Sequence, residues 1–354
     1  MRRGQLQYNL VSHTAETTAP TPAAPATFSS SQYPGLTLGD AGEHATIHAI
    51  RLHAPSGRNG DDAAVLAAPA PNSRTVVATD ALVCGRHFHP DYSTAYQVGR
   101  KAITQNFADI EAMGARPIAA VLALAAPPDT PVAAVEDLAR GMNSRLRDYS
   151  AELVGGDVTA STTLTIAVTA IGLIGGDRPP LTLQGARPGQ ALVAAGHIGH
   201  AAAGLELLSR LGRDNIPASL QSLARAQQDP ELTPGRGLVA RATGATSMTD
   251  NSDGLVHDLT AIARASGVRI DLFADAIAPS PQLVEAGELL GVDPWSWVLA
   301  GGEDHTLLAT TSFEPPSGFR TIGRVHKQRG HLPVSVDGED PAYDGGWAAF
   351  DQPS

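Results

Sequence analysis

The chain has 354 residues, of which 42% are hydrophobic and 5% aromatic, and its formal net charge is −11. This length suffices for two domains with separate cores. The negative net charge argues against a surface that binds nucleic-acid phosphates. The single cysteine, Cys84, excludes an intrachain disulfide or a multi-cysteine zinc site. The sequence has no run of 18 apolar residues that would predict a membrane span, and no apolar stretch typical of a signal peptide, so we expect a cytoplasmic protein.

The first part of the chain is rich in Ala, Thr, Pro and Ser and has almost no large apolar residues. Such a composition cannot bury enough surface to offset the chain entropy that folding removes. We therefore expect residues 1–36 to form a disordered tail. A short helix with Ile47, Ile50 and Leu52 on its apolar face is expected next, followed by a turn that places Asp62 at the entry of a strand.

The following region alternates between strands and helices, as in one α/β domain. The β-branched run that ends at Thr79 predicts a strand with Asp80 at its carboxyl end, where α/β proteins place ligands. His87, just past this strand, could bind an anion or be structural. In the next predicted helix Asp109 lies beside the apolar stripe on the same flank as Asn106, and a charge so placed needs a partner. The expected strands cover 75–79, 118–124, 151–155 and 163–173, and the expected helices cover 95–113 and 132–149.

A glycine-rich segment separates the last two of these strands, and we expect it to form a tight turn that carries Gly155, Gly156 and Asp157. Glycines at such a turn allow the backbone to approach a phosphate closely. The high density of glycine and proline after the last strand predicts a domain boundary. We therefore expect a first α/β domain over residues 37–175 and a second over residues 176–354.

The second half repeats the alternation of strands and helices. Asp250 and Asp253 lie where a helix opens, and we expect Asp253 to be its N-cap. A further glycine-rich turn carries the carboxylates of Glu303 and Asp304. The expected strands cover 191–195, 268–273, 305–310, 321–325 and 333–336, and the expected helices cover 200–210, 235–243 and a segment that ends near 266.

Five aspartates lie either in a turn or where a predicted strand ends. Asp109, in a predicted helix, is a sixth candidate of the same kind. Taken singly, each has an ordinary interpretation as a helix cap or as a mimic of the backbone in a turn. Taken together, and without a cluster of His or Cys ligands, they indicate hard divalent cations such as Mg²⁺ bound with a polyphosphate. The sequence lacks the P-loop, zinc-protease, serine-hydrolase and EF-hand patterns. The five aspartates are Asp62, Asp80, Asp157, Asp250 and Asp253.

Six short motifs, in the order in which they occur, resemble those of the thiamine-monophosphate kinases. This family belongs to a superfamily with aminoimidazole ribotide synthetase, selenophosphate synthetase and the hydrogenase-maturation dehydratase. The resemblance runs from about Leu38 to the C-terminus and implies two α/β domains of the aminoimidazole ribotide synthetase type. It also implies a homodimer in which the N-terminal domains pair and ATP lies near their interface. The motifs are Gly60-Asp-Asp-Ala-Ala-Val65, Thr79-Asp-Ala-Leu-Val-Cys-Gly-Arg-His-Phe88, Asn106-Phe-Ala-Asp-Ile-Glu-Ala-Met-Gly-Ala115, Val154-Gly-Gly-Asp157, Ser252-Asp-Gly-Leu255 and Gly301-Gly-Glu-Asp304.

The implied reaction passes the γ-phosphoryl group of ATP, in line, to the phosphate of thiamine monophosphate. No catalytic base is expected, because the acceptor oxygen is already anionic, and the protein has only to position the reactants and neutralise their charge. The residues implied to touch ATP are Gly156, Asp157 and Ser252, and those implied to hold thiamine monophosphate are His87, Glu303 and Trp347. The implied ligands of several Mg²⁺ ions are Asp62, Thr79, Asp80, Asp109, Asp157, Asp250 and Asp253.

The chain departs from the family pattern where arginines are usual. Ala160 stands in place of the Arg that follows Gly-Gly-Asp, Leu183 stands in place of a second Arg, and His305 replaces a Tyr. These departures leave open a relative that phosphorylates or ATP-activates another small molecule. A catalytically inactive homologue with a binding role is a third possibility, but the retained carboxylates argue against it, because buried like charges are costly unless they bind cations.

Overall fold

The computed structural model describes residues 26–58, 63–64, 66 and 70–346 of the chain. These residues form two β-sheets, each packed against helices. Among the described helices, none has the length and apolar character needed to cross a bilayer. The helices are α1 (Leu38–His53), α2 (Ala95–Ala112), α3 (Val132–Asp148), α4 (His200–Leu211), α5 (Gln221–Gln228), α6 (Arg236–Ala242), α7 (Leu255–Ser266), α8 (Ala274–Ile277), α9 (Pro281–Leu290) and α10 (Pro294–Ala300). The strands are β1 (Ser73–Val83), β2 (Arg116–Ala126), β3 (Glu152–Ala160), β4 (Thr165–Gly175), β5 (Ala191–Ala195), β6 (Ser247–Asp250), β7 (Val268–Leu272), β8 (Leu307–Thr311), β9 (Arg320–Lys327) and β10 (Val334–Val336).

The first sheet has the strand order β1-β4-β2-β3, with β2 and β3 parallel and the other neighbours antiparallel. Helices α2 and α3 cover one of its faces, and Phe107 of α2 and Val168 of β4 are fully buried in the core that results. Side chains on the opposite face remain exposed or half-buried, and Val77 of β1 is 62% exposed. The alternation of side chains along each strand produces this contrast between the two faces.

The second sheet has the strand order β10-β7-β9-β5-β8-β6 and packs against the first half of the chain through its β6 edge. Met248 of β6 is buried in the same apolar core as Phe107 of α2. Glu111, near the end of α2, accepts the N–H groups of Gly235 and Gly237 at 2.6 Å each, where α6 begins. Burial raises the pKa of Glu111 to about 7. This carboxylate therefore fastens the two halves to each other.

Residues 26–36 pack against the first half, although their composition predicted that they belong to a disordered tail. The Phe28 side chain is 2% exposed, and its ring lies edge-on to that of Tyr33, with 5.4 Å between ring centroids. The Tyr33 hydroxyl donates to Asp137 at 3.0 Å. Two aromatic rings and several hydrogen bonds dock this short segment, and the average composition of the tail conceals the rings. Residues 1–25 lie outside the described residues.

Three details of the fold differ from the sequence-based expectations. Helices α5, α8, α9 and α10 and strand β6 were not expected, and Leu52, placed on the apolar face of the first helix, is 63% exposed. Gly155 and Gly156 lie inside β3 and not in a turn. A Cβ on Gly156 would lie 2.2 Å from the carbonyl oxygen of Leu122, so the glycine permits β3 to pair closely with β2.

Candidate active site

Three carboxylates meet where α2 lies against both β1 and β6: Asp80 from β1, Asp109 from α2 and Asp250 from β6. Asn106 accepts the N–H of Asp80 at 3.0 Å and donates to the carbonyl of Ala102 at 2.9 Å, which fixes α2 against β1. Burial raises the pKa of Asp109, and the charges of Asp250 and Asp80 raise it further. The raised pKa of Asp109 therefore reflects burial first and the nearby negative charges second. Asp80 lies within β1 and not at its end, because the strand continues to Val83.

His305 is the buried partner of Asp250. Its Nδ1 atom lies 2.9 Å from Oδ2 of Asp250, and both residues are at least 95% buried. Burial lowers the pKa of His305, but the hydrogen bond and the charge of Asp250 outweigh it and raise that pKa above its ordinary value. The Nε2 atom of His305 and both side-chain polar atoms of Asn251 are buried without a hydrogen-bond partner among the described residues. Such atoms normally bond to water or a ligand, so unused polar groups adjoin the carboxylates.

A second group of possible metal ligands follows β6. Ligand atoms of Asp253, His257 and Asp258 lie within 4.8 Å of one another. Asp253 does not cap α7 as expected, because Gly254 occupies the N-cap position, and Asp258 accepts the N–H groups of Asp253 and Gly254 at 3.1 Å each. Burial raises the pKa of Asp258, with further contributions from Asp250 and Asp253. The charges of this group therefore interact with the charge of Asp250 at the end of β6.

The donor atoms of this region fit Mg²⁺. Carboxylate oxygens are hard ligands, which Mg²⁺ prefers over nitrogen and sulfur. Burial, with added repulsion from Asp250, raises the pKa values of Asp109 and Asp253, so the ionised carboxylates are destabilised here. A divalent cation would stabilise them, so the geometry is consistent with the Mg²⁺ ligands that the sequence predicted at Asp80, Asp109 and Asp250.

A buried lysine joins two residues that the sequence assigned to substrate binding. Lys101 of α2 is 1% exposed, and its Nζ atom lies 2.7 Å from Oε1 of Glu303 and 3.2 Å from the carbonyl oxygen of His87. The Nδ1 atom of His87 accepts the N–H of Val83 at 3.0 Å. Burial lowers the pKa of His87, which favours the neutral imidazole. Lys101 thus joins Glu303 to the backbone of His87, and the charge of Glu303 acts on His305, the partner of Asp250.

The loop after α10 holds Glu303 in an unfavourable backbone conformation, which the contacts around it maintain. Glu303 has a φ of 66°, a left-handed backbone that is uncommon outside glycine. Its N–H donates to the carbonyl of Ser252 at 2.8 Å. A Cβ on Gly302 would lie 2.1 Å from that same carbonyl oxygen. The glycine therefore allows this loop to lie directly on the segment that follows β6 and places Ser252 beside Glu303.

Two predicted site residues lie apart from the three carboxylates. Asp157 of β3 pairs across the first sheet with Ala123, and the same row continues through β4 to Ala81 of β1. Since paired residues point to one face, Asp157 lies on the uncovered face, roughly 14 Å from β1 at the usual strand spacing. The Thr79 hydroxyl is on that face too and donates to the carbonyl of Val168 at 3.1 Å. Neither side chain joins Asp80 in the described chain.

The remaining predicted site residues, Asp62 and Trp347, lie outside the described residues. Sequence reasoning missed Lys101 and the contact between Gln227 and Glu303, because single lysines and glutamines within helices form no motif. The only available signal was the position of Lys101, two residues before the apolar stripe that begins at Ile103.

The chain was compared with known proteins. Residues 60–174 match the family model described as "AIR synthase related protein, N-terminal domain". The thiamine-monophosphate kinase of Corynebacterium glutamicum is 60% identical over 316 residues, which cover 89% of this chain and 96% of that protein. The enzyme of the same name from Mycobacterium tuberculosis is 46% identical over 295 residues, covering 83% of this chain and 86% of the relative. The chain belongs to the thiamine-monophosphate kinase family.

Solved structures agree with membership of the thiamine-monophosphate kinase family. The structure described as AaThiL complexed with AMPPCP and TMP superposes with a TM-score of 0.72 at 30% identity, covering 90% of this chain and all of that one. A hydrogenase maturation protein HypE superposes with a TM-score of 0.64 at 18% identity, covering 86% of this chain and 98% of that one. The second comparison shows the shared fold alone. Both confirm the two-sheet α/β architecture expected from the sequence.

Proposed function

We propose that this protein phosphorylates thiamine monophosphate to thiamine diphosphate with ATP as the phosphoryl donor. The convergence of Asp80, Asp109 and Asp250 beside the group formed by Lys101 and Glu303 is the observation that carries the proposal. Two thiamine-monophosphate kinases that are 60% and 46% identical over most of the chain support it. So does the related structure described with both AMPPCP and TMP.

The proposed Mg²⁺ ligands divide into two groups. Asp80, Asp109 and Asp250 would hold the cations nearest the transferred phosphoryl group, and Asp253 would ligate a further ion together with Asp258. Bound Mg²⁺ neutralises charge on the phosphates during transfer. His305 supports this arrangement, since its bond to Asp250 fixes the orientation of that carboxylate. Asp62, Thr79 and Asp157 remain proposed ligands on the resemblance alone.

The acceptor substrate would lie on the other side of the carboxylates. His87 and Glu303 are held there by Lys101, and Trp347 is proposed to stack on one of the two rings. A phosphate monoester is already anionic near neutral pH, so its oxygen attacks without a protein base. The described residues accordingly need only orient the acceptor and exclude water.

A homodimer is proposed from the uncovered face of the first sheet. Val77 is exposed, Ile171 and Leu173 of β4 are half-buried, and the outer edge of β1 has no strand beside it among the described residues. An apolar sheet face with an open edge is suited to pairing with a second copy. Asp157 lies on this face, so pairing would bring the proposed ATP contact of Asp157 to the interface. We also propose domains over residues 37–175 and 176–354, and cytoplasmic location stays a prediction.

The function is tested by a steady-state assay with thiamine monophosphate, ATP and Mg²⁺. We expect thiamine diphosphate and ADP in equal amounts and no turnover when EDTA replaces Mg²⁺. Calorimetry with a non-hydrolysable ATP analogue would report nucleotide binding independently of turnover. Nucleotide binding without phosphorylation of thiamine monophosphate would contradict the proposal.

That result would favour the second candidate, a kinase or ATP-activating enzyme for another small molecule. The exposed Ala160 and the 37% exposed Leu183, which occupy the two arginine positions of the family, are the observations behind this candidate. Failure to bind nucleotide would instead favour a homologue with a binding role only.

A further inference from the structure

The carboxylate of Glu303 is held from two sides, by one residue from each half of the chain. Lys101 lies 2.7 Å from its Oε1 atom, and Nε2 of Gln227 donates to Oε2 at 2.8 Å. Lys101 is 1% exposed and Gln227 is 7% exposed, whereas the Glu303 side chain is 33% exposed. Both supports are therefore buried, and the carboxylate itself faces an accessible space.

Gln227 has one polar atom left over. Its Oε1 atom is buried and has no hydrogen-bond partner among the described residues. The orientation of the amide is settled, because exchanging its oxygen and nitrogen would set an acceptor against Oε2 of Glu303. The two polar atoms of an amide are about 2.3 Å apart, so Oε1 lies within roughly 5 Å of the Glu303 carboxylate. A buried amide oxygen without a donor is costly unless something in the functioning protein donates to it.

The position of Gln227 is fixed independently of this site. The next residue, Gln228, accepts from Nε2 of Gln97 at 3.1 Å and donates to the carbonyl of Tyr92. Asp229 then forms ion pairs with the half-buried Arg100 of α2 at 2.7 Å and with the buried Arg145 of α3 at 3.0 Å. The end of α5 is thus fastened to the first half of the chain. The helix end that carries Gln227 is held by these neighbours, and its side chain is held by burial and by the bond to Glu303.

The chemistry of these atoms defines what they can bind. An ionised carboxylate has more acceptor sites than Lys101 and Gln227 occupy, and the Oε1 atom of Gln227 is an acceptor only. The carboxylate of Glu303 and the Oε1 atom of Gln227, roughly 5 Å away, are two nearby acceptors that complement a group carrying two N–H donors. A primary amino group on an aromatic ring is such a group, and a carbonyl oxygen in the same place would be repelled.

We propose that Gln227 and Glu303 form an acceptor pair that recognises an amino group on the acceptor substrate. The inference rests on the proposed function, under which this group is the amino group on the pyrimidine ring of thiamine monophosphate. Gln227 is then a specificity-determining residue, and Lys101 is a positioning residue that keeps Glu303 ionised. The pKa of Glu303 agrees with this assignment, because burial would raise it but Lys101 and Gln227 hold it below its ordinary value.

The test compares thiamine monophosphate with its 4-oxo analogue, in which a carbonyl replaces the amino group. The parent should prefer the amino compound in kcat/KM. Gln227→Met removes the acceptor with little change in volume, and we expect it to reduce that preference by about tenfold to a hundredfold. The loss should fall on the amino compound, and the rate with the 4-oxo compound should change little.

Gln228→Met is the matched control, because Gln228 is equally buried in the same helix turn but bonds only to the first half of the chain. Its preference should stay within about twofold of the parent, even if its unfolding midpoint falls. Gln227→Leu replaces Gln227→Met if the latter does not fold.

Equal preference in the parent and in Gln227→Met would show that the free oxygen holds only a buried water, and the inference would fail while the proposed function stood. If the parent phosphorylates neither compound, the proposed function is wrong and the inference falls with it.

Discussion

The carboxylate of Asp109 lies near those of Asp80 and Asp250, whose negative charges repel it. Burial and the charges of Asp250 and Asp80 raise its pKa, so the ionised form is destabilised in the metal-free protein. We predict that Asp109→Asn abolishes phosphoryl transfer and leaves the unfolding midpoint equal to or higher than that of the parent. Steady-state kinetics and thermal unfolding would measure the two effects.

Asp129→Asn is a suitable control for the removal of one negative charge, because Asp129 lies exposed in the loop before α3. It should change neither quantity. An Asp109→Asn protein that melts well below the parent and keeps its rate would show that Asp109 has a structural role instead.

The raised pKa of Asp109 also predicts how stability depends on pH. In the unfolded chain the pKa of this carboxyl is near its ordinary value of 3.8, and in the folded protein the pKa is higher. Between these two pKa values the folded state binds more protons than the unfolded state. The contribution of Asp109 to the free energy of unfolding is therefore complete below about pH 4 and is lost as the pH rises through the folded pKa. Urea titrations in EDTA should show the free energy of unfolding falling between pH 5 and pH 8.

That fall should be smaller in Asp109→Asn than in the parent, and the difference isolates Asp109 from the other buried carboxyls with raised pKa. Saturating Mg²⁺ should also reduce it, because the cation stabilises the ionised form. A variant with the same slope as the parent would mean that Asp109 does not take up a proton on folding.

Ala160 offers a test of the missing arginine. It is the last residue of β3, exposed, and three residues beyond Asp157. An arginine near transferring phosphates supplies charge-assisted hydrogen bonds. Ala160→Arg should therefore raise kcat/KM for ATP, by about tenfold for each 1.4 kcal/mol of transition-state stabilisation regained.

Ala160→Gln has similar reach without the charge and should produce a smaller gain. No gain in the arginine variant would indicate that another cation already serves the phosphates, or that Ala160 is distant from them.

At the scale of secondary-structure elements, the segment before α1 is part of the folded protein. Phe28 is 2% exposed, and its ring stacks on Phe88 with 6.2 Å between centroids as well as meeting Tyr33. Phe28→Ala should lower the free energy of unfolding by about 3–5 kcal/mol. Chemical denaturation of the full chain would measure it.

Phe313→Ala is the matched control, because that ring is 67% exposed. It should change the free energy of unfolding by no more than about 0.5 kcal/mol. A Phe28→Ala protein as stable as the parent would mean that the segment only rests on the surface, as its composition suggested.

The elements with strong periodicity were predictable and those without it were not. Helix α2 was expected over 95–113 and found at Ala95–Ala112, and strand β5 was expected and found at the same residues, because burial of one face imposes a pattern on the sequence. Helices α5 and α10 are short, at eight and seven residues, and too few positions exist for a pattern to show. Their sequences read as polar or aromatic connections until the surrounding elements are known.

The site was predictable in its residue types but not in its contacts. Repeated aspartates at strand ends and turns indicated Asp80 and Asp250, the flank of an apolar helix stripe indicated Asp109, and the fold does bring the three together. Lys101 and Gln227 bond to Glu303 across gaps of many residues, and local sequence holds no information on such pairs. The position of Asp157 on the uncovered face likewise depends on strand register, which the sequence alone did not reveal.

At the scale of the whole molecule, the proposed dimer and the proposed ATP contacts depend on the same surface. The face of the first sheet opposite α2 and α3 carries the 62% exposed Val77 near its β1 edge. A charge placed there would have to be buried when two such faces meet, which costs several kcal/mol without a partner. We predict that Val77→Asp shifts the protein from dimer to monomer, as measured by sedimentation equilibrium over a range of concentrations.

If ATP binds near that interface, the monomeric variant should also bind the non-hydrolysable ATP analogue more weakly, in proportion to the monomer fraction. Phe313→Asp provides the control, because Phe313 is equally exposed but lies on the loop after β8 in the second half of the chain. It should remain a dimer with the parent's nucleotide affinity. A Val77→Asp protein that stays dimeric would place the interface elsewhere, and one that becomes monomeric with full affinity would place the whole ATP site within one subunit.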